Sequence, residues 1–117
     1  MDVAAVFAGV AVADFESTLP WYERLLGRPA DERPMDGLAQ WHISDTALFQ
    51  VLQEPERAGR SMVGLSVADL DREVAALRGR GLTPEVEEKT SEKVLFEIFI
   101  DPEGNKVGVL ANRGDSG

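Results

Sequence analysis

A chain of 117 residues has room for one domain of ordinary size, and 44% hydrophobic with 28% charged residues is the composition of a chain that packs a core rather than of a disordered one. With 21 acidic against 12 basic residues the formal net charge is -9, which argues against nucleic acid or an anionic membrane surface as partner and favours a cationic small molecule over an anionic one. The absence of cysteine excludes disulfides, a thiol nucleophile and thiolate zinc sites, so a reducing, cytoplasmic setting is the default expectation.

The apolar run Val3 to Ala13 reads as a buried strand. It is too short to span a bilayer, and Asp2 stands where a signal peptide would carry a basic residue. At an offset of 55 positions the chain matches itself: Gly9-Val10-Ala11-Val12-Ala13-Asp14-Phe15 lies over Gly64-Leu65-Ser66-Val67-Ala68-Asp69-Leu70, with four of the seven residues identical. In both copies the strand ends at Ala-Asp, and Asp14 and Asp69 are placed to accept from free N–H groups of a following helix.

The first helix is predicted to run to Leu26, with Leu19, Tyr22, Leu25 and Leu26 at helical spacing, Pro20 near its start and Gly27 as a left-handed cap. The second carries Leu70, Val74 and Leu77, with Gly79 and Gly81 as terminators. Polar stretches at 28–37 and 81–93 follow, in which the first strand of each meander is poorly defined. Two strand pairs come next, Leu38–Ile43 with Thr46–Leu52 across Ser44-Asp45, and Val94–Ile100 with Lys106–Ala111 across Asp101-Pro102-Glu103-Gly104-Asn105. The chain therefore divides into a module at about 3–53, a linker at 54–60, a second module at about 61–111 and a tail at 112–117, in which Arg113-Gly114-Asp115 reads as chance.

This duplicated βαβββ unit, with Trp21-Tyr22 before Leu25-Leu26-Gly27 and the Asp101-to-Asn105 turn before the last strand, resembles the glyoxalase/bleomycin-resistance/dioxygenase (vicinal oxygen chelate) superfamily. The resemblance implies an α+β fold of two tandem modules, a cup-shaped, partly open sheet of eight strands with the helices outside, completed by homodimerisation. In metal-dependent members, histidine typically stands on the first strand of each module and glutamate often on the last. Carried over through the Ala-Asp landmark and the closing turn, the histidine positions fall on Phe7 and Met62 and the carboxylate positions on Gln50 and Gly108. Phenylalanine and glycine side chains ligate nothing, methionine suits copper rather than manganese, nickel or zinc, and one neutral amide is a weak ligand. The expectation is therefore no metal and no cofactor, with closest likeness to metal-free bleomycin-resistance-type members.

A tight turn at Ser44-Asp45 would pair His42 with Ala47, on the face of Phe49 and Val51 against a helix, and Trp41 with Leu48, on the face of Gln50 and Leu52. Trp41 would then line the cup with Phe7, Gln50, Met62 and Gly108, the expected ligand-binding set. Glu97, the one acid in the run Val94–Ile100, is expected at a sheet edge. The leading function is metal-independent binding of a small organic ligand such as a cationic antibiotic. The alternatives are a lyase or oxygenase-like enzyme with a non-standard or metal-free site, for which His42 and Glu97 are the candidate bases, and a protein-interaction module whose cup is filled by its own side chains.

Overall fold

The computed structural model describes residues 1–111; the expected tail at 112–117 lies outside the described residues. The chain runs β1 (Val6–Val12), α1 (Phe15–Leu26), β2 (Glu32–Met35), β3 (Leu38–Ser44) and β4 (Ala47–Gln53), then β5 (Met62–Val67), α2 (Leu70–Gly79), β6 (Val86–Lys89), β7 (Val94–Ile100) and β8 (Lys106–Ala111), with a single 3-10 turn at Pro55–Arg57 in the linker. Two four-stranded sheets result, ordered β1-β4-β3-β2 and β5-β8-β7-β6, each with its first strand parallel to its last. This is the expected α+β pair of βαβββ modules, with the sheets not closed on one another. No helix among the described residues is long and apolar enough to cross a membrane.

Local chemistry fixes both strand-to-helix corners. The Asp14 carboxylate accepts from Ser17 N at 3.3 Å and that of Asp69 from Arg72 N at 3.1 Å, each satisfying an otherwise unpaired N–H of the first turn. Gly27 closes α1 at φ 78°, where a side chain would be strained. In the polar stretch the structure adds β2, turned into β3 by Asp36-Gly37 with Gly37 at φ 79°. That Asp-Gly pair is the hairpin signal from which the strand could have been read.

Each helix covers one face of its own sheet. In the first module Val10, Val12, Tyr22, Leu25, Trp41, Phe49 and Val51 are buried there, with Phe49 centred 5.8 Å from Tyr22 and 6.1 Å from Trp41. In the second, Val63, Val74, Leu77, Phe99, Val107 and Val109 play that part. Burying each large side chain contributes on the order of 2–3 kcal/mol against ordering costs of similar size.

The modules are latched by the closing turn before β8. Asp101 and Asn105 are both buried, and the Asp101 carboxylate accepts from Tyr22 Oη at 2.7 Å, Asn105 Nδ2 at 2.8 Å and Glu103 N at 2.8 Å. Asn105 Nδ2 also donates to Ala11 O at 2.9 Å, and its Oδ1 accepts from Ser61 N at 2.8 Å. Glu103 reaches back across the modules to the start of α1, accepting from Ala13 N at 2.6 Å, Asp14 N at 2.8 Å and Thr18 Oγ1 at 2.9 Å. Partial burial pushes its carboxyl up, but these three donors hold it below the usual carboxylate range. Burial and then the Asp101 carboxylate push the Tyr22 phenol well above its ordinary value. Gly59 packs against this turn so closely that a Cβ would meet Glu103 O at 2.5 Å.

Candidate functional site

The face of each sheet turned away from its helix is open. In the first module its rungs follow from the strand register: Phe7, Leu48 and His42; Gly9, Gln50, Gln40 and Glu32; Ala11, Leu52 and Leu38. In the second they are Met62, Lys106 and Ile100; Gly64, Gly108, Ile98 and Val86; Ser66, Leu110, Phe96 and Glu88. A half-open hollow of about 430 Å³ touches Phe7, Gly9, Gln50 and Leu52, and one of about 550 Å³ touches Met62, Gly64, Phe96 and Gly108.

Four of the five expected ligand-binding residues therefore lie on open faces, but in two separate sets, Phe7 with Gln50 and Met62 with Gly108. Phe7 is 60% exposed and Met62 73%. Trp41 is the correction. It pairs with Phe49 rather than Leu48, is fully buried on the helix side, and donates through Nε1 to Arg28 O at 3.0 Å. The cause is a bulge: Ser44 pairs with Ala47 and His42 with Leu48, so Ile43 is an extra residue on β3. One residue of slip exchanges the faces of everything before it. His42, expected under the helix, is on the open face with its side chain 49% exposed and Nε2 3.0 Å from Glu32 Oε1.

Glu97 also departs from expectation. It lies on β7, an interior strand between β8 and β6, and points to the helix side, fully buried. Arg78 of α2 bridges Glu97 Oε2 at 3.0 Å and Glu87 Oε2 at 2.9 Å, while Glu97 Oε1 has no hydrogen-bond partner among the described residues. Burial first, and then the adjacent Glu87 carboxylate, push Glu97 up to about 7, although Arg78 opposes the shift. The neighbouring Glu97 side chain, and then Arg78, lower Glu87 in turn. This carboxylate faces neither open-face hollow, so it meets no ligand held there.

Phe7, Gln50, Met62 and Gly108 do not fit a divalent cation: they offer neither carboxylate nor imidazole, and the Gln50 amide already donates to Gln40 Oε1 at 2.6 Å. Among the described residues no group of three His, Asp or Glu side chains stands close enough to hold a metal. A further hollow of about 420 Å³ opens on the helix side between the modules, lined by Ala8, Leu25, Leu65 and Leu77 among others, and contains none of the four positions.

A βαβββ duplication with two open sheet faces defines a class, and the sequence comparison agrees: the glyoxalase-like domain family matches residues 5–110, so the chain belongs to the glyoxalase/bleomycin-resistance superfamily. Among solved structures it is similar to a glyoxalase/bleomycin resistance protein from Catenulispora acidiphila, at 32% identity over 92% of this chain and 97% of that one, with a TM-score of 0.86. A bleomycin-binding protein complexed with bleomycin shares the fold at 21% identity, 97% and 100% coverage and a TM-score of 0.69. TnmS3, an antibiotic binding protein from Streptomyces sp. CB03234, does so at 22%, 92% and 93% coverage and 0.68. No curated protein matches the sequence.

Proposed function

We propose that the protein binds a small organic molecule against the open faces of its sheets, without a resident metal, and that a second copy of the chain closes over those faces. The observation that carries this reading is the residue set Phe7, Gln50, Met62 and Gly108. An aromatic ring and an amide line one half-open hollow, at the end of which Arg57 and Arg60 also stand, and a thioether and a bare glycine line the other; each is large enough for a drug-sized group. Fold relatives that bind bleomycin or another antibiotic make cationic antibiotics the first ligands to try, as does the net charge of -9.

Melting temperature is the readout of choice, because Trp21 and Trp41 are both buried and report poorly on the open faces. Bleomycin or a related cationic antibiotic at about 100 times its Kd is expected to raise Tm by roughly 5 °C or more. Met62→Arg, at an exposed position, should abolish that rise without lowering the Tm of the free protein. Elemental analysis is expected to find well under one manganese, nickel or zinc per chain. A stoichiometric metal would overturn the metal-free part of the reading, and a ligand-induced shift unaffected by Met62→Arg would move the site elsewhere.

Phe7, Met62, Val86, Ile100 and Leu110 place exposed apolar surface on the open faces, the kind of patch that a second subunit covers. Light scattering at micromolar concentration is expected to give about twice the 12.8 kDa chain mass. A monomer there would leave each face to act alone.

A further inference from the structure

The two open faces occupy equivalent places in the duplicated fold, yet their central rungs are chemically opposite. In the second module that rung is Gly64, Gly108, Ile98 and Val86, with nothing to hydrogen-bond beyond the backbone. In the first it is Gly9, Gln50, Gln40 and Glu32. There Gln50 Nε2 donates to Gln40 Oε1 at 2.6 Å, Gln40 Nε2 donates to Glu32 Oε2 at 3.2 Å, and His42 Nε2 lies 3.0 Å from Glu32 Oε1. A lone acid on the edge strand β2 would be explained by solubility and protection of the sheet edge. Gln40 and Gln50 are not explained that way. They sit half-buried on the central strands β3 and β4, where the other module carries Ile98 and Gly108.

The row has a direction. Each amide donates toward β2, so the polarity converges on the Glu32 carboxylate, whose only ion-pair partner among the described residues is His42. No Lys or Arg among the described residues lies within ion-pair distance of it, although Arg28 and Arg33 on the same module pair with Asp31 and Glu16. Its side chain is 52% exposed on the open face, beside apolar Leu38 and Leu48 on the neighbouring rungs. At Gly9 an added Cβ would meet no atom within 4 Å, so the Gln50 end of the row stays uncovered.

We infer that the first module's open face is the cation-selecting half of the site, with Glu32 as the residue that seats a protonated amine or guanidinium of the ligand. Gln40 and His42 hold the carboxylate in place, while the glycine-floored central rung of the second module, between the rungs that carry Lys106 and Glu88, takes a flat apolar part of the ligand. This rests on the reading that the open faces bind small molecules. It adds which face recognises which end and which residue sets the preference for charge.

The test uses two probes sharing one flat ring system, 1-naphthylmethylamine, which is protonated at neutral pH, and its neutral N-acetyl derivative. Each is titrated into the full-length protein at low salt and followed by two-dimensional amide NMR. The wild type is expected to bind the amine about fivefold more tightly, a charge-assisted contact at a half-exposed site. Glu32→Gln should erase that preference and leave the neutral probe's affinity unchanged. Glu85→Gln, which removes one negative charge at an exposed position on the other module, should leave the preference intact. Equal affinities in the wild type, or a preference that survives Glu32→Gln, would overturn this assignment while the small-molecule reading stands. A preference lost equally in Glu85→Gln would reduce it to net charge and overturn it as well. Failure of both probes to shift any open-face amide would overturn both.

Discussion

Asn105→Ala is expected to lower the unfolding free energy by about 3–5 kcal/mol. Asn105 is fully buried, and its side chain links three parts of the chain: β1 through Ala11 O, the turn through Asp101 Oδ2, and the start of β5 through Ser61 N. Truncation leaves all three groups without that partner, the two on Ala11 and Asp101 buried and the one on Ser61 partly so, at about 1–3 kcal/mol each when unrelieved. Asn105→Asp should cost at least as much, because it replaces the donor facing Asp101 and Ala11 O with a second acceptor. Urea unfolding followed by both tryptophan fluorescence and far-UV circular dichroism measures the loss. A deficit below about 1 kcal/mol would mean that the turn is not what fastens the modules together.

Arg78→Ala should be the second large effect, and one that depends on pH. With Arg78 gone, Glu97 is a buried carboxylate facing Glu87 with no cation, a change that costs roughly 3–5 kcal/mol when the group is ionised. The folded value of Glu97 is about 7 against an ordinary value of 4.5, so the folded chain holds a proton that the unfolded chain releases. That contribution to stability is fully present below pH 4.5 and is lost as pH rises through 7. Glu87 is shifted the other way, and its contribution is present above its ordinary value and lost as pH falls. Wild-type Tm is therefore expected to decline from pH 5 to pH 8.5. Arg78→Ala should be mildly destabilised at pH 5 and severely at pH 8.5, and Glu97→Gln should flatten the decline. A deficit in Arg78→Ala that is equal at both ends of this range would show that the arginine acts by packing alone.

What could be read from the sequence followed from how local each determinant is. Asp14, Asp69 and Gly27 act within one turn of backbone, and the Gly9-to-Phe15 repeat carries its own register, so both strand-to-helix corners fell where expected. Phe49 and Val51 were likewise assigned to the helix face. Trp41 and His42 come out with their faces exchanged, Trp41 being expected in the cup and His42 under the helix, because the bulge at Ile43 is decided by how β3 meets β4 and leaves no mark in residue periodicity. Glu97 gave a signal that could have been followed. It lies two residues before Phe99, hence on the same face, while Arg78 follows Val74 by four residues and so points from α2 toward that face. The row from Gln50 to Glu32 needed β2, and that strand was hidden in a polar stretch apart from its Asp-Gly turn.

The Glu103 latch runs one way only. The closing turn of the second module spans five residues and supplies carboxylates to the first module's corner, whereas the first module closes through Asp45-Thr46, one residue beyond the expected Ser44-Asp45, and no side chain from it reaches the start of α2 among the described residues. The two halves have thus ceased to be interchangeable bricks. A chain rebuilt from two first modules would leave both corners unfastened, while one rebuilt from two second modules would have a latch to offer each. The order of the halves in the chain is now written into the side chains, and a gene that shuffled or reversed them would have to evolve the latch again on the opposite side.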